Sequence, residues 1–159
     1  MNARTTRQRS TLHDTFTIER HLPAAPARVF ASFADVTKKA RWFGCVEGWE
    51  VAEHTLDFRV GGREVWSGGP PGGTPHRNDS YYHDIVPDER IVWSYAMQVG
   101  GRRISVSLAT IELSPDGAGT RMRFIEQGVY LDGHDGLAER ERGTKDLLDN
   151  LERALCEEG

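Results

Sequence analysis

Alternating apolar and polar positions dominate the middle of this chain and predict strands. The first alternation, Thr15 to Leu22, ends at Pro23, which cannot donate to a strand ladder. Seven further runs have a period near two: Gly48 to His54, Leu56 to Val60, Arg63 to Ser67, Arg77 to Val86, Arg90 to Met97, Arg102 to Leu113 and Thr120 to Tyr130. Because the separators are short and rich in Gly, Pro and Asp, we expect neighbouring strands to be antiparallel.

Two short helices are predicted after the first strand. Pro26 stands at a first helical turn, where its missing N–H does no harm, and apolar residues follow it at helical spacing: Val29, Phe30 and Phe33. Positions 35–43 predict the second helix, whose exposed side is expected to carry three basic side chains: Lys38, Lys39 and Arg41.

A long amphipathic helix is predicted from Gly136 to Leu155. One face carries residues that recur at three and four positions: Thr144, Leu147, Leu148, Leu151 and Leu155. The run Glu139 to Arg142 is interpreted as a solvated face with weak ion pairs. Since the strands run in succession and the helices lie near the ends, the fold class is α+β. We expect a six- to seven-stranded antiparallel sheet wrapped around the long C-terminal helix.

Composition narrows the class of protein. The 159 residues suffice for one domain, predicted over 14–156, after an arm at 1–13 that we expect to be disordered. Charged residues make up 28% and the net charge is −4, which gives no support to nucleic-acid or membrane partners. No apolar run has the length of a signal or spanning segment, so a cytoplasmic location is expected. Cys45 and Cys156 are expected to be reduced thiols.

Short motifs in a fixed order give the chain a family resemblance. They are Pro26-x-x-Val29-Phe30 with Phe33; Arg41-Trp42-Phe43; Phe58-Arg59-x-Gly61-Gly62 with Trp66; Asp84-Ile85-x-Pro87-x-Glu89-Arg90-Ile91; Gly119 to Gly128; and Gly143-Thr144-x-x-Leu147-Leu148-x-x-Leu151. With them the sequence resembles the helix-grip fold of the START-like, SRPBCC superfamily. More closely, it resembles bacterial single-domain proteins related to the C-terminal domain of activators of the 90-kDa heat-shock-protein ATPase. The Gly-Trp usual in the last helix of this family is Gly143-Thr144 here, so that aromatic side chain is absent.

The resemblance implies a pocket between the sheet and the last helix. The candidate ligand-binding residues are mostly aromatic: Trp42, Phe43, Trp66, Tyr82, Trp93, Tyr95, Phe124, Glu126 and Leu147. A packed aromatic core is the alternative interpretation of the same residues. Strand alternation lets only one of Tyr82 and His83 point inward, and Tyr82 is favoured.

Glu126 is the one candidate for catalysis. Period two from Met122 and Phe124 places it on the inward face, where burial would favour its protonated form and suit it to acid or base chemistry. Pairing with an arginine such as Arg63, or capping of backbone donors, is the structural alternative.

Other kinds of site find little support in the sequence. His54, His76, His83 and His134 match no metal-ligand spacing, so no metal or other cofactor is indicated. No Gly-x-Ser-x-Gly occurs, and the glycine-rich run Gly68 to Gly73 lacks the Lys-Ser/Thr ending of a phosphate loop. We interpret that run as a lid or linker.

Three functions follow from these observations, in descending order. The first is a protein that binds a hydrophobic small molecule between sheet and helix. The second is an enzyme of the same cavity, such as a cyclase, dehydratase or hydrolase, that uses Glu126. The third is a cofactor of a chaperone, a partner implied by the resemblance only. A homodimer and a monomer both fit the sequence.

Overall fold

The computed structural model describes residues 8–134 and 136–158. Its elements are β1 (Thr11–Leu22), α1 (Pro26–Ala34), α2 (Val36–Lys39), β2 (Glu50–Leu56), β3 (Arg63–Gly69), β4 (His76–Val86), β5 (Arg90–Val99), β6 (Arg102–Asp116), β7 (Gly119–Leu131) and α3 (Leu137–Glu157). The seven strands form one antiparallel sheet in the order β1-β7-β6-β5-β4-β3-β2. The predicted α+β class and helix order are confirmed.

The first strand begins earlier than its alternation predicts. Thr11 is already paired with Leu131, so β1 and β7 remain in register over their full common length. Just before the strand, the Ser10 amide donates to Asp132 and Arg9 forms an ion pair with the same carboxylate. Positions 11–13, expected in a disordered arm, therefore belong to β1. Residues 1–7 lie outside the described residues.

One predicted strand is wrong. The run Leu56 to Val60 does not form a separate strand, because Leu56 ends β2 and a turn follows. The Asp57 amide donates to the Arg63 carbonyl, and Gly61 has a φ of +83° that a strand would not allow. The glycine-rich loop is also shorter than expected, since Gly68 and Gly69 still belong to β3.

The long helix lies across one face of the sheet and forms the core with it. Leu148, Leu151 and Leu155 of α3 are buried together with Ile111 of β6 and Met122 of β7. Helix α1 contributes Val29 and Phe33 to the same core. Burial of this apolar surface is the main force that holds helix and sheet together.

The opposite face of the sheet is open to solvent. Leu108 and Val106 of β6 lie there and are 41% and 39% exposed. His83 is also exposed, whereas its neighbour Tyr82 is buried, so the predicted orientation of this pair is confirmed. Within the described part of the chain, every helix is too short or too polar to span a bilayer.

Candidate functional site

A cavity of about 690 Å³ separates the middle of the sheet from α3. Its floor is made by inward side chains of adjacent strands. Tyr95 of β5 lies opposite Ser80 of β4 and Ser107 of β6, and Met97 lies opposite Asn78 in the next row. The segment 44–49 and the first half of α3 complete the wall.

The structure brings eight of the nine predicted ligand-binding residues to this cavity. They are Trp42, Phe43, Trp66, Trp93, Tyr95, Phe124, Glu126 and Leu147. Tyr82 is not in its lining; its hydroxyl donates to Glu64 instead. Whether these residues bind a ligand stays a prediction.

The aromatic rings pack mainly edge to face, which leaves apolar ring surface towards the cavity. Phe43 and Trp66 have centroids 6.0 Å apart at 89°, and Trp93 and Phe124 have centroids 6.0 Å apart at 69°. Gly44 permits the first arrangement: its φ is +74°, and a Cβ there would lie 2.4 Å from the Trp66 indole nitrogen. A glycine at position 44 therefore lets the segment 44–49 lie directly on Trp66.

Glu126 lies at one end of the cavity and is 2% exposed. The Tyr95 hydroxyl lies 3.0 Å from both carboxylate oxygens, Ser107 Oγ donates at 3.2 Å, and Arg140 Nη1 lies 3.4 Å from Oε2. Burial raises the pKa of Glu126, and the Arg140 charge and these hydrogen bonds offset that effect only in part. The same burial, together with the Glu126 charge, raises the pKa of Tyr95.

The partner of Glu126 corrects two sequence expectations. Arg63, the suggested partner, lies half exposed and pairs with Asp79. Arg140, expected on a solvated face, is buried and donates to Tyr95 Oη at 2.9 Å and Ser105 Oγ at 2.7 Å. It also stacks over the Tyr95 and Tyr130 rings. Arg140 thus ties the first half of α3 to the sheet.

A second buried carboxylate, Glu64, was missed by the sequence argument. It lines the cavity and accepts from Lys39 Nζ at 2.5 Å, His54 Nε2 at 2.8 Å and Tyr82 Oη at 2.8 Å. Burial alone would raise the pKa of Glu64, but the Lys39 charge and the three hydrogen bonds lower it to about 2. Lys39, predicted to be exposed, is 5% exposed.

Alternation along β3 could have identified Glu64. Trp66, two positions further, was already placed at the pocket, and period two puts position 64 on the same face. This is the argument that placed Glu126. The Glu64 cluster joins α2 to β2, β3 and β4, so it positions Trp42 and Phe43, which directly follow α2.

The histidines are separated in space as well as in sequence. His54 is bound to Glu64, His76 stacks on Trp49 with centroids 4.5 Å apart, and His83 contacts Ser94 on the outer face. Burial lowers the pKa of His76. Among the described residues, no three His, Cys, Asp or Glu side chains converge as metal ligands. Cys45 and Cys156 are both free and exposed.

An antiparallel sheet that holds a long helix over an aromatic cavity defines a helix-grip protein. The chain belongs to the family described as Activator of Hsp90 ATPase homolog 1-like protein, whose model matches residues 23–156. The predicted resemblance is therefore confirmed. None of the curated proteins matches the chain.

Solved structures extend the likeness over nearly the whole chain. A putative uncharacterized protein from Rhizobium leguminosarum is 43% identical with a TM-score of 0.88, over 93% of this chain and 97% of that one. Mll3558 from Rhizobium loti is 48% identical with a TM-score of 0.84, over 91% and 99%. The AHSA1-like protein from Aeromonas hydrophila is 19% identical with a TM-score of 0.69, over 89% and 92%, which shows the shared fold alone.

Proposed function

We propose that this protein binds a small, largely apolar molecule in the cavity between its sheet and α3. The observation that carries the proposal is the cavity itself: about 690 Å³, lined chiefly by aromatic and aliphatic side chains, with polar groups at its two ends. Binding sites for small molecules typically have this size and this distribution of polar groups.

Two unpaired polar atoms support the same proposal. Within the described residues, the buried Trp66 indole N–H and the buried Asn78 Oδ1 have no hydrogen-bond partner, and both residues line the cavity. An unsatisfied buried polar atom is destabilising, by about 1–3 kcal/mol. A polar group on a bound molecule, after local adjustment, would relieve that cost.

The direct test is native mass spectrometry of freshly purified protein, with a cavity-filling variant. Thr144 lies on α3 and lines the cavity, so Thr144→Trp should fill part of the space. Its matched control is Lys145→Trp, which adds the same ring to an exposed position of the same helix. We expect a co-purified molecule, or added N-phenyl-1-naphthylamine, to bind the native protein and the control. Equal binding to the Thr144 variant would place the ligand elsewhere.

A second candidate function, catalysis in the same cavity, is favoured by one specific observation. Glu126 combines burial, a raised pKa and contact with the Tyr95 hydroxyl at the cavity wall. Such a carboxyl group can hold or release a proton near neutral pH. Glu126→Gln should abolish turnover of a substrate if the protein is an enzyme, and should leave ligand uptake largely intact if it is a binding protein.

The chaperone role stays a prediction that rests on the family description. It is tested by the ATPase rate of a purified 90-kDa heat-shock protein with saturating amounts of this protein. An unchanged rate would dismiss it.

A further inference from the structure

The rim of the cavity contains a glycine that packing does not require. Gly143 lies inside α3, where glycine weakens a helix relative to alanine. A Cβ placed on Gly143 meets no atom within 4 Å, so no close approach explains the residue. Gly143 lines the cavity and is exposed, which places it at the opening rather than in the interior.

The residues around Gly143 define an opening between two segments. On α3 the lining residues beside it are Glu139, Asp146, Leu147 and Asn150. Across the cavity, the segment 44–49 contributes the other side of the rim, with Glu47 exposed and Trp49 half-buried. The missing side chain at position 143 widens the gap between these two segments.

The cavity lining is acidic, and the excess lies at this rim. Among the described lining residues, the two cations are each paired with a buried carboxylate: Lys39 with Glu64, and Arg140 with Glu126. Three further carboxylates line the cavity, namely Glu47, Glu139 and Asp146, and none of them has an ion-pair partner in the described part of the chain. All three are exposed.

We propose that ligands enter through the gap at Gly143, and that the three rim carboxylates select neutral or cationic molecules against anions. This inference rests on the proposed function, and it names the chemical class of its ligand. Carboxylates of one sign around a narrow opening repel an approaching anion and leave a neutral molecule unaffected. The paired interior charges do not reverse that preference.

Two fluorescent probes with the same anilinonaphthalene body test the charge selection. N-phenyl-1-naphthylamine is neutral, and 8-anilinonaphthalene-1-sulfonate carries one negative charge. We expect the triple variant Glu47→Gln, Glu139→Gln, Asp146→Asn to narrow the ratio of their dissociation constants by roughly tenfold. The control removes three exposed carboxylates outside the cavity lining: Glu19→Gln, Glu89→Gln and Glu112→Gln. An unchanged ratio in the rim variant, or an equal change in the control, would overturn the selection.

The entrance is tested by the rate at which the neutral probe enters. Gly143→Ala should leave the association rate nearly unchanged, whereas Gly143→Trp should slow it at least about tenfold by covering the opening. Circular dichroism establishes that each variant is folded, and Gly143→Leu replaces the tryptophan variant if that one is not. Native association rates in the bulky variant would overturn the entrance at Gly143. If neither probe binds the native protein, the proposed function itself fails, which is a different result.

Discussion

Two buried carboxylates line the same cavity, yet their surroundings drive their protonation in opposite directions. Glu64 has hydrogen-bond donors at 2.5–2.8 Å, including the Lys39 ammonium, and its pKa falls to about 2. Glu126 has donors at 3.0–3.4 Å, and its pKa is raised. Both side chains are almost fully buried. Burial alone therefore does not decide the charge of a carboxyl group; the strength of its partners does.

The difference assigns the two ends of the cavity different roles. Glu64 is a permanently charged group that fixes α2 to the sheet and thereby positions the aromatic wall. Glu126 is held by longer contacts, so it is the group whose protonation can respond to a ligand. Structural stability and chemical responsiveness are thus located at separate ends of one cavity.

The largest expected difference concerns the cation at each end. Lys39→Met should lower the free energy of unfolding by about 3–5 kcal/mol, because Glu64 is then left charged and unpaired in the interior. Arg140→Met should cost less, about 1–3 kcal/mol, because Glu126 can take up a proton. Urea unfolding at pH 7 measures both.

The double variant Lys39→Met, Glu64→Gln is the control for this prediction. It should recover much of the lost stability, since no unpaired charge remains. Equal costs for the two single variants would contradict the assigned difference between the carboxylates.

The pH dependence of stability should have opposite signs at the two ends. The lowered pKa of Glu64 means that its stabilisation is present above about pH 4.5 and is lost as the pH falls towards 2. Roughly 2 kcal/mol of it should be gone by pH 3. The raised pKa of Glu126 means that its stabilisation is present below about pH 4.5 and is lost as the pH rises through its folded-state pKa.

Comparison of the native protein with Glu64→Gln and Glu126→Gln, by urea unfolding from pH 3 to 8, separates these two contributions. The stability difference between native and variant should rise with pH for Glu64 and fall with pH for Glu126. Slopes of the same sign would refute the comparison.

The tyrosines that bind the two carboxylates give a smaller effect. Tyr82→Phe removes a hydrogen bond to a charged carboxylate and should cost about 1.5 kcal/mol. Tyr95→Phe should cost about 1 kcal/mol and should raise the pKa of Glu126 further, because it removes a donor to the ionised form. A ¹³C-carboxyl titration followed by NMR would detect that increase, and a decrease would contradict it.

The smallest effect is expected at the arginine that the sequence offered to Glu126. Arg63 is half exposed and pairs with Asp79, so its ion pair is screened by water. Arg63→Ala should change stability by less than about 0.5 kcal/mol and leave the pKa of Glu126 unaffected. A clear shift of that pKa would restore Arg63 as its partner.

Local patterns were sufficient for the fold and for the inward face of each strand. Alternation placed Tyr82 inward and Glu126 at the cavity, because the side-chain direction of a strand depends only on neighbouring positions. The helix periodicity placed Leu148 and Leu151 against the sheet for the same reason.

The pairing of charged groups could not be predicted in this way. Lys39 lies 25 residues from Glu64, and Arg140 lies 14 residues from Glu126. Both cations stand in polar runs that are typical of solvated helix faces. Their burial depends on a carboxylate delivered by a distant strand, and a local pattern contains no information about that strand. Long basic side chains also reach inward from the edge of a helix face.

The central claim is that the space between the sheet and α3 accepts a ligand. Methyl-labelled protein titrated with N-phenyl-1-naphthylamine and followed by NMR tests it most directly. We predict large shifts for Leu147 and Leu148, which line the cavity, and none for Val106 and Leu108 on the open face. Shifts confined to Val106 and Leu108, or no shifts at saturating probe, would contradict the claim.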